Sequence, residues 1–272
     1  MLRVASYCPE MTNAGIHSLH SAMVLDERGE TREIFLTGER PLTIYLDKQE
    51  IVTLMTMGAQ PELLTLGYLR NQGLVHALED VVAIQVDWDV EAVAVTTRQT
   101  RSDISQLLSK RTVTSGCGQG TMFGHVMESL NRLTISCPDF TSDSIYQVLH
   151  GLDEYNQMYK KAGAVHGCAL CSTDGDVEMF VEDVGRHNAV DAISGWMWIE
   201  GITGADKVFY TTGRLTSEMV IKVAQMQVPL LLSRSGVTEK GLSIAQQIGI
   251  GMVARAKGKH FLVFNGLEKF KS

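Results

Sequence analysis

The chain has 272 residues, 44% of them hydrophobic and 20% charged, the balance of an ordinary globular protein with a sizeable core. A formal net charge of −7 argues against non-specific nucleic-acid binding, and no apolar run approaches the ~18 residues of a membrane span. Five scattered cysteines make no disulfide framework and MLRVASYCPEM has no continuous apolar stretch, so a reducing cytoplasm and no secretory signal are expected.

Residues 18–97 read as strands with one helix. SLHSAMVLDERGETREIFLTG gives two β-rich runs about the turn-like DERGE, a hairpin. PLTIYLDKQEIVTLMTM continues with alternating and β-branched residues. PELLTLGYLRNQGLV starts with proline at a helix N-terminus and closes on Gly73 as a C-terminal cap. VVAIQVDWD and AVAVTTR complete an α+β domain placed at residues 1–112, with polar residues 98–112 as a connection. A mobile loop is expected over 113–121. There TSGCGQGT sets Cys117 among glycines and hydroxyls, with no apolar neighbour to bury it. The segment is either a surface turn with an incidental thiol or a thiol free to swing between two partners.

The second domain, 122–272, opens with the helical patterns MFGHVMESLNRL and SDSIYQVLHGLDEYNQMYKK. In the latter Ile145, Val148, Leu149, Leu152 and Tyr155 share one face. After Gly163, strands CALCST and VEMFVED precede helix HNAVDAISGWMWI. KVFYTT leads to TSEMVIKVAQMQ, PLLLS to EKGLSIAQQIG, and strands GMVARA and HFLVFN finish the chain. This alternation predicts an α/β layer with a largely parallel or mixed sheet. The Met and Trp residues of SGWMWIEGI read as a buried helix stripe.

Three strands end in polar loops that open helices: EDVGRHN (182–188), TTGRLTSE (211–218) and SRSGVTEK (233–240). Loops at the carboxyl ends of parallel strands converge on one crevice, where helix N-termini and arginines favour phosphate. The candidates are Asp183, Arg186, His187, Gly213, Arg214 and Arg234, joined by Arg255, Lys257 and Lys259 of ARAKGKH (254–260). On an acidic chain the grouping reads as a pocket for a phosphorylated ligand, against the plainer reading of three helix caps. His187 would bind phosphate, act as an acid, or belong to a cap network. None of the loops has Rossmann or Walker spacing. In CALC, Cys168 and Cys171 on a strand would face opposite ways, ~10 Å apart, as core cysteines and not a redox dithiol or half a zinc site. His166 reads equally as a ligand, a base, or a histidine fixed by a backbone hydrogen bond. No permanently bound metal is expected.

EDVGRHNAVD, TGR followed by SEM, and the basic turn before the last strand closely resemble the formate dehydrogenase accessory sulfurtransferases (FdhD type). ERPLTIYLD and LLTLGYLRNQGLV look like that family's N-terminal domain, so the likeness runs from about residue 18 to 265. The resemblance implies a cytidine-deaminase-like C-terminal domain, a small α+β N-terminal domain and a homodimer. It implies sulfur taken as a persulfide from a cysteine desulfurase and passed to the molybdenum of bis(molybdopterin guanine dinucleotide), for the formate dehydrogenase catalytic subunit. Cys117 matches the persulfide cysteine. Ala254, Arg255, Ala256, Lys257, Gly258 and Lys259 match the cofactor-binding segment, for which GDP is an analogue. Gly120 stands where the family loop often carries a second cysteine, although one thiolate suffices to hold a sulfane sulfur. A non-catalytic chaperone for the same cofactor is the alternative. A zinc nucleobase deaminase lacks support, because Gly167 and Cys168 follow His166 where H-x-E is needed and no proline precedes Cys168.

Overall fold

Tight turns between β-branched runs organise the first part of the chain. The computed structural model describes residues 7–16, 19–99, 104, 111–114, 120–123 and 133–271, with the backbone alone at 111–114 and 120–123. Strands β1 (Glu10–Met11), β2 (Leu19–Leu25), β3 (Thr31–Thr37), β4 (Arg40–Leu46) and β5 (Gln49–Thr56) precede helix α1 (Pro61–Asn71). β6 (Val81–Asp87) and β7 (Ala92–Thr97) follow it. β2 and β3 form the expected hairpin, closed by Asp26, whose carboxylate accepts from the amides of Arg28 and Glu30. β4 and β5 turn through Asp47 and Lys48, both left-handed (φ 48° and 71°), as a two-residue hairpin turn requires.

Five of these strands join in the order β1-β6-β7-β4-β5. Leu42, Ile44 and Leu46 alternate with half-buried residues, which puts one face of β4 fully in the core. α1 begins at Pro61, where a missing N–H costs nothing. It ends as expected at Gly73, whose φ of 64° lets the Leu74 amide reach back to the Leu69 carbonyl at 2.9 Å.

The central segment departs from the sequence expectation. β8 (Arg111–Thr114) and β9 (Gly120–Phe123) pair antiparallel, with Thr114 opposite Gly120. Strand therefore crosses the boundaries expected at 112 and 121, because the β-branched Thr112 and Val113 prefer extended backbone. Met122 and Phe123 end a strand where a helix was expected to begin. Cys117, and the rest of that expected helix over 124–132, lie outside the described residues.

The long helix expected after Thr141 is two helices, α2 (Ser142–Gly151) and α3 (Gln157–Ala162), following the short β10 (Phe140–Thr141). Asn156 Nδ2 donates to the Leu152 carbonyl, and the Glu182 carboxylate accepts from the amides of Met158 and Tyr159. These side chains offer the backbone an alternative to continuing the helix. Tyr155 consequently lies outside the buried face and is 42% exposed, while Ile145, Val148 and Leu152 are buried.

The remaining elements follow the expected alternation: β11 (His166–Ser172), β12 (Val177–Asp183), α4 (Arg186–Ile199), β13 (Lys207–Thr211) and α5 (Ser217–Gln225). Then come β14 (Leu230–Ser233), α6 (Glu239–Ile248), β15 (Gly251–Lys257), β16 (His260–Asn265) and β17 (Phe270–Lys271), which pairs with β10. The main sheet has the order β12-β11-β13-β14-β15-β16 and is mixed, with parallel pairing at β13–β14 and β14–β15 and antiparallel pairing elsewhere. β12 is antiparallel to β11 and β11 to β13, so β12 runs with the parallel three. Its end at Asp183 reaches the same edge as Thr211, Ser233 and the first residue of β11, His166. Helices α4, α5 and α6 cover one face of this sheet and α2 the other.

One apolar cluster runs from the first sheet through α1 and α4 into the second, so the two regions share a core. The backbones of α1 and α4 touch: a Cβ at Gly67 would overlap the Asp191 carbonyl, and one at Gly195 the Leu63 carbonyl. Beside this crossing Asp191 is fully buried, paired with Lys222 at 2.5 Å and accepting from Asn71 Nδ2 at 2.7 Å. Ser194 donates to Asn71 Oδ1, and Lys222 lies over the Tyr68 ring. Gly67→Ala should lower the unfolding free energy by about 1 to 3 kcal/mol in denaturant titrations, the usual cost of overpacking. Gly236→Ala, at a glycine with open space around it, is the control and should change stability far less. Equal losses would show that the helices do not meet through these glycines.

Candidate functional site

The carboxyl edge of the main sheet is held in place by buried polar side chains. Asp183 closes β12 with both carboxylate oxygens engaged: Oδ2 accepts from Thr56 Oγ1 (2.6 Å) and the Met57 amide, Oδ1 from the Gly185 amide and Asn188 Nδ2. Asn188 Nδ2 also donates to the Met55 carbonyl. Asp183 thereby pins the first turn of α4 to the end of β5. Burial pushes its carboxyl up, and the four hydrogen bonds oppose that shift.

Arg186, in that first turn, is buried, and its stem lies on Gly213, where a Cβ would strike it. Gly213 is fixed from both sides, its amide donating to Thr211 Oγ1 and its carbonyl accepting from Ser233 Oγ. Cys168 donates its thiol to the same Thr211 hydroxyl at 3.2 Å. Cys168 and Cys171 are free, fully buried, and packed into clusters on opposite faces of the sheet, as the strand period predicts. Burial pushes each thiol up to about 12, so neither is a thiolate at neutral pH.

His187 is nearly buried, with Nε2 3.3 Å from Glu218 Oε2 but without hydrogen-bond geometry. The nearby carboxylate would favour an imidazolium. Burial prevails, joined by Lys222, Arg186 and His166, and pushes the ring down to about 2. His166 opens β11 with Nδ1 3.4 Å from Thr212 Oγ1, and it too is held below the ordinary range, by burial and then by Arg186 and Arg214.

Above this buried layer stand exposed cations. Arg214 and Arg234 occupy the two following loops, with the Arg234 amide donating to the Thr211 carbonyl. Arg255 is exposed at a β-bulge, where the register shifts between Ala254–Leu262 and Lys257–His260. Its φ of 54° is left-handed, a strained conformation for a residue with a side chain, and its amide donates to the Ser235 carbonyl. Lys257, Gly258 and Lys259 form the exposed turn beyond it, while the side chains of Ala254 and Ala256 are buried in the core.

The helix N-termini at this edge are not equivalent. Thr238 caps α6 by accepting from the Gly241 amide. Among the described residues α4 and α5 have no cap bond from the N-cap side chain, and at α5 the buried Thr216 Oγ1 has no hydrogen-bond partner. Of the hydroxyls that TTGRLTSE and SRSGVTEK bring, Thr211, Thr212 and Ser233 brace the edge, while Glu218 beside His187 carries no signal in the sequence. Concavities of about 690 and 400 Å³ lie elsewhere, beside His150–Lys160 and Leu133–Ser136. Among the described residues no three His, Cys, Asp or Glu side chains are grouped to hold a metal, and no helix is long and apolar enough to cross a membrane.

This mixed α/β architecture is shared with a solved structure, a candidate formate dehydrogenase accessory protein from Desulfotalea psychrophila. The TM-score is 0.73 at 24% identity, over 93% of this chain and 98% of that one. The model of the FdhD/NarQ family matches residues 37–271, and the chain belongs to that family. It is 27% identical over 238 residues to the sulfur carrier protein FdhD of Wolinella succinogenes, covering 86% of this chain and 82% of that protein. It is 28% identical over 248 residues to the Listeria monocytogenes protein of the same name, covering 89% and 95%.

His187 gives a pH prediction. The folded ring stays neutral down to about pH 2, whereas an unfolded histidine gains a proton below ~6.5. The unfolded state binds more protons across that window, so this contribution is complete above ~6.5 and is lost as pH falls. His187→Asn should remove up to about 1.4 kcal/mol per pH unit from the slope of unfolding free energy between ~6 and ~4.5. A variant profile parallel to that of the unaltered chain would show that the imidazole is not buried neutral.

Proposed function

We propose that the chain is a sulfur carrier of formate dehydrogenase maturation, with Cys117 bearing the sulfur and the carboxyl edge holding the cofactor that receives it. The carrying observation is the meeting of two helix N-termini lacking side-chain caps with Arg186, Arg214, Arg234 and Arg255, on a chain of net charge −7. Helix N-terminal N–H groups and guanidinium forks are donors matched to a diphosphate. The curated relatives named sulfur carrier protein FdhD support the sulfur chemistry.

Cys117 belongs to the five residues joining β8 to β9, in a glycine-rich run. Cys137, Cys168 and Cys171 are buried, with thiols pushed up to about 11, 12 and 12, and the exposed Cys8 stands in ASYCPEM, which has no glycine. Cys117 thiolate attacks the outer sulfur of a persulfide on a cysteine desulfurase; the new S–S bond forms as the donor's breaks, and the donor leaves as thiolate. The outer sulfur would then pass to the molybdenum of bis(molybdopterin guanine dinucleotide) as substrate. The S–S bond breaks, Cys117 leaves as thiolate, and the metal in its reduced state supplies the two electrons that turn sulfane sulfur into sulfide. Arg214, Arg234 and Arg255 would meet the diphosphates of this cofactor. The turn of Lys257, Gly258 and Lys259 would flank it. The cytoplasmic setting, the homodimer and the cytidine-deaminase-like fold implied by the family resemblance belong to the same reading.

Cys117→Ala should abolish formate dehydrogenase activity in cells that depend on this chain, with a stability change within about 0.5 kcal/mol. Normal maturation by the variant would remove the carrier assignment. For the pocket, GDP should bind, and Arg214→Ala should weaken it about tenfold, with lysine restoring only part because the bidentate fork is lost. Arg32→Ala, on the β2–β3 hairpin, should be silent in calorimetry. Equal losses at Arg32 and Arg214 would reduce the effect to bulk charge.

A further inference from the structure

His166 is left unassigned by this chemistry, although it stands at this edge, on the strand between β12 and β13. It leads β11, with Asp183 opposite it on β12 and Thr212 beyond the end of β13. Thr212 is held firmly: its hydroxyl accepts from the Gly167 amide at 3.1 Å, and its own amide donates to the Gly167 carbonyl at 2.9 Å. A hydroxyl that has accepted one hydrogen bond completes its set by donating, and His166 Nδ1 is the acceptor within reach at 3.4 Å. Nδ1 then carries the lone pair and Nε2 the proton. Nε2 makes no hydrogen bond to a described residue and is not among the buried unsatisfied atoms, which leaves it accessible.

The charged and titratable groups around the ring agree. Arg186 and His187 approach from α4, and Arg214 from the loop after β13. Asp183 faces it from β12, but both of its oxygens are bonded to other donors. With two guanidiniums and no free carboxylate among these neighbours, a third positive charge is disfavoured and burial adds to that.

We propose that His166 is a ligand-binding residue that offers a neutral Nε2–H to a phosphate oxygen, between Arg186 and Arg214. The guanidiniums supply charge, and the imidazole, fixed by Thr212, supplies direction. A proton donor that stays neutral adds no charge to titrate as pH changes. The proposal rests on the reading of this edge as a phosphate site, and it also makes a claim about the free protein.

Two-bond proton–nitrogen correlation NMR on the full chain tests that claim without ligand. Nε2 should be protonated and Nδ1 bare from about pH 8 down to about pH 6, below the ordinary histidine midpoint. A ring protonated on both nitrogens at pH 6, or on Nδ1 alone, would overturn it. In GDP titrations, His166→Leu should lose about tenfold in affinity, while His166→Gln, which keeps an N–H near Nε2, should stay within about threefold. The unaltered chain and His166→Gln should show parallel pH profiles, which cancels the ionisation of GDP itself. Affinity gained by the unaltered chain relative to His166→Gln as pH falls would mean a charged histidine and refute the proposal. Failure of the unaltered chain to bind GDP would overturn the phosphate reading and the ligand half of this proposal, while the tautomer result stands or falls on its own.

Discussion

The backbone contact between Gly67 of α1 and Gly195 of α4 sets the spacing of everything on either side of it. Neither position has room for a Cβ, so the first sheet with its helix and the second sheet with its helices close to backbone distance. That closeness buries Asp191, Asn71, Ser194 and Lys222 together and makes their mutual pairing obligatory. It also brings the end of β5 within hydrogen-bonding distance of Asp183 and Asn188. The first turn of α4, which carries Arg186 and His187, is therefore positioned by contacts from 126 to 133 residues earlier in the chain.

The candidate site follows from that positioning in two layers. The lower layer is buried and holds the Arg186 guanidinium among two histidines held below their usual range, a thiol held above its own, and a carboxyl pushed up by burial. The upper layer is exposed and cationic, with Arg214, Arg234 and Arg255 on separate loops of one edge. Separating direction from charge in this way suits recognition of an acceptor-only group such as phosphate. Arg255 sits on left-handed backbone at the bulge, and its amide is tied to the Ser235 carbonyl.

Much of this was legible in the sequence, for reasons of period and punctuation. VEMFVED and HFLVFN form strands at the limits their composition suggests, and each Gly-Arg loop opens a helix. The period of two was enough to send Cys168 and Cys171 to opposite faces. What could not be read depends on distant partners. Asp183 looks like a ligand residue in EDVGRHN, and only Thr56 and Met57, far away in sequence, show it as a brace. The helix break at Asn156 needs Glu182 from another strand. Gly67 and Gly195 carry no local signal, because a glycine inside a helix marks close approach only once the neighbouring helix is known.

The central claim is that Cys117 carries sulfur while the buried thiols of Cys137, Cys168 and Cys171 stay inert. It is tested most directly by incubating the folded chain with a cysteine desulfurase and cysteine, then mapping the bound sulfur by mass spectrometry of peptides. The account predicts the added mass of sulfur on the peptide containing Cys117, and none on those containing Cys137, Cys168 or Cys171. Sulfur on Cys168 or Cys171 of the folded protein, or none on Cys117, would contradict it.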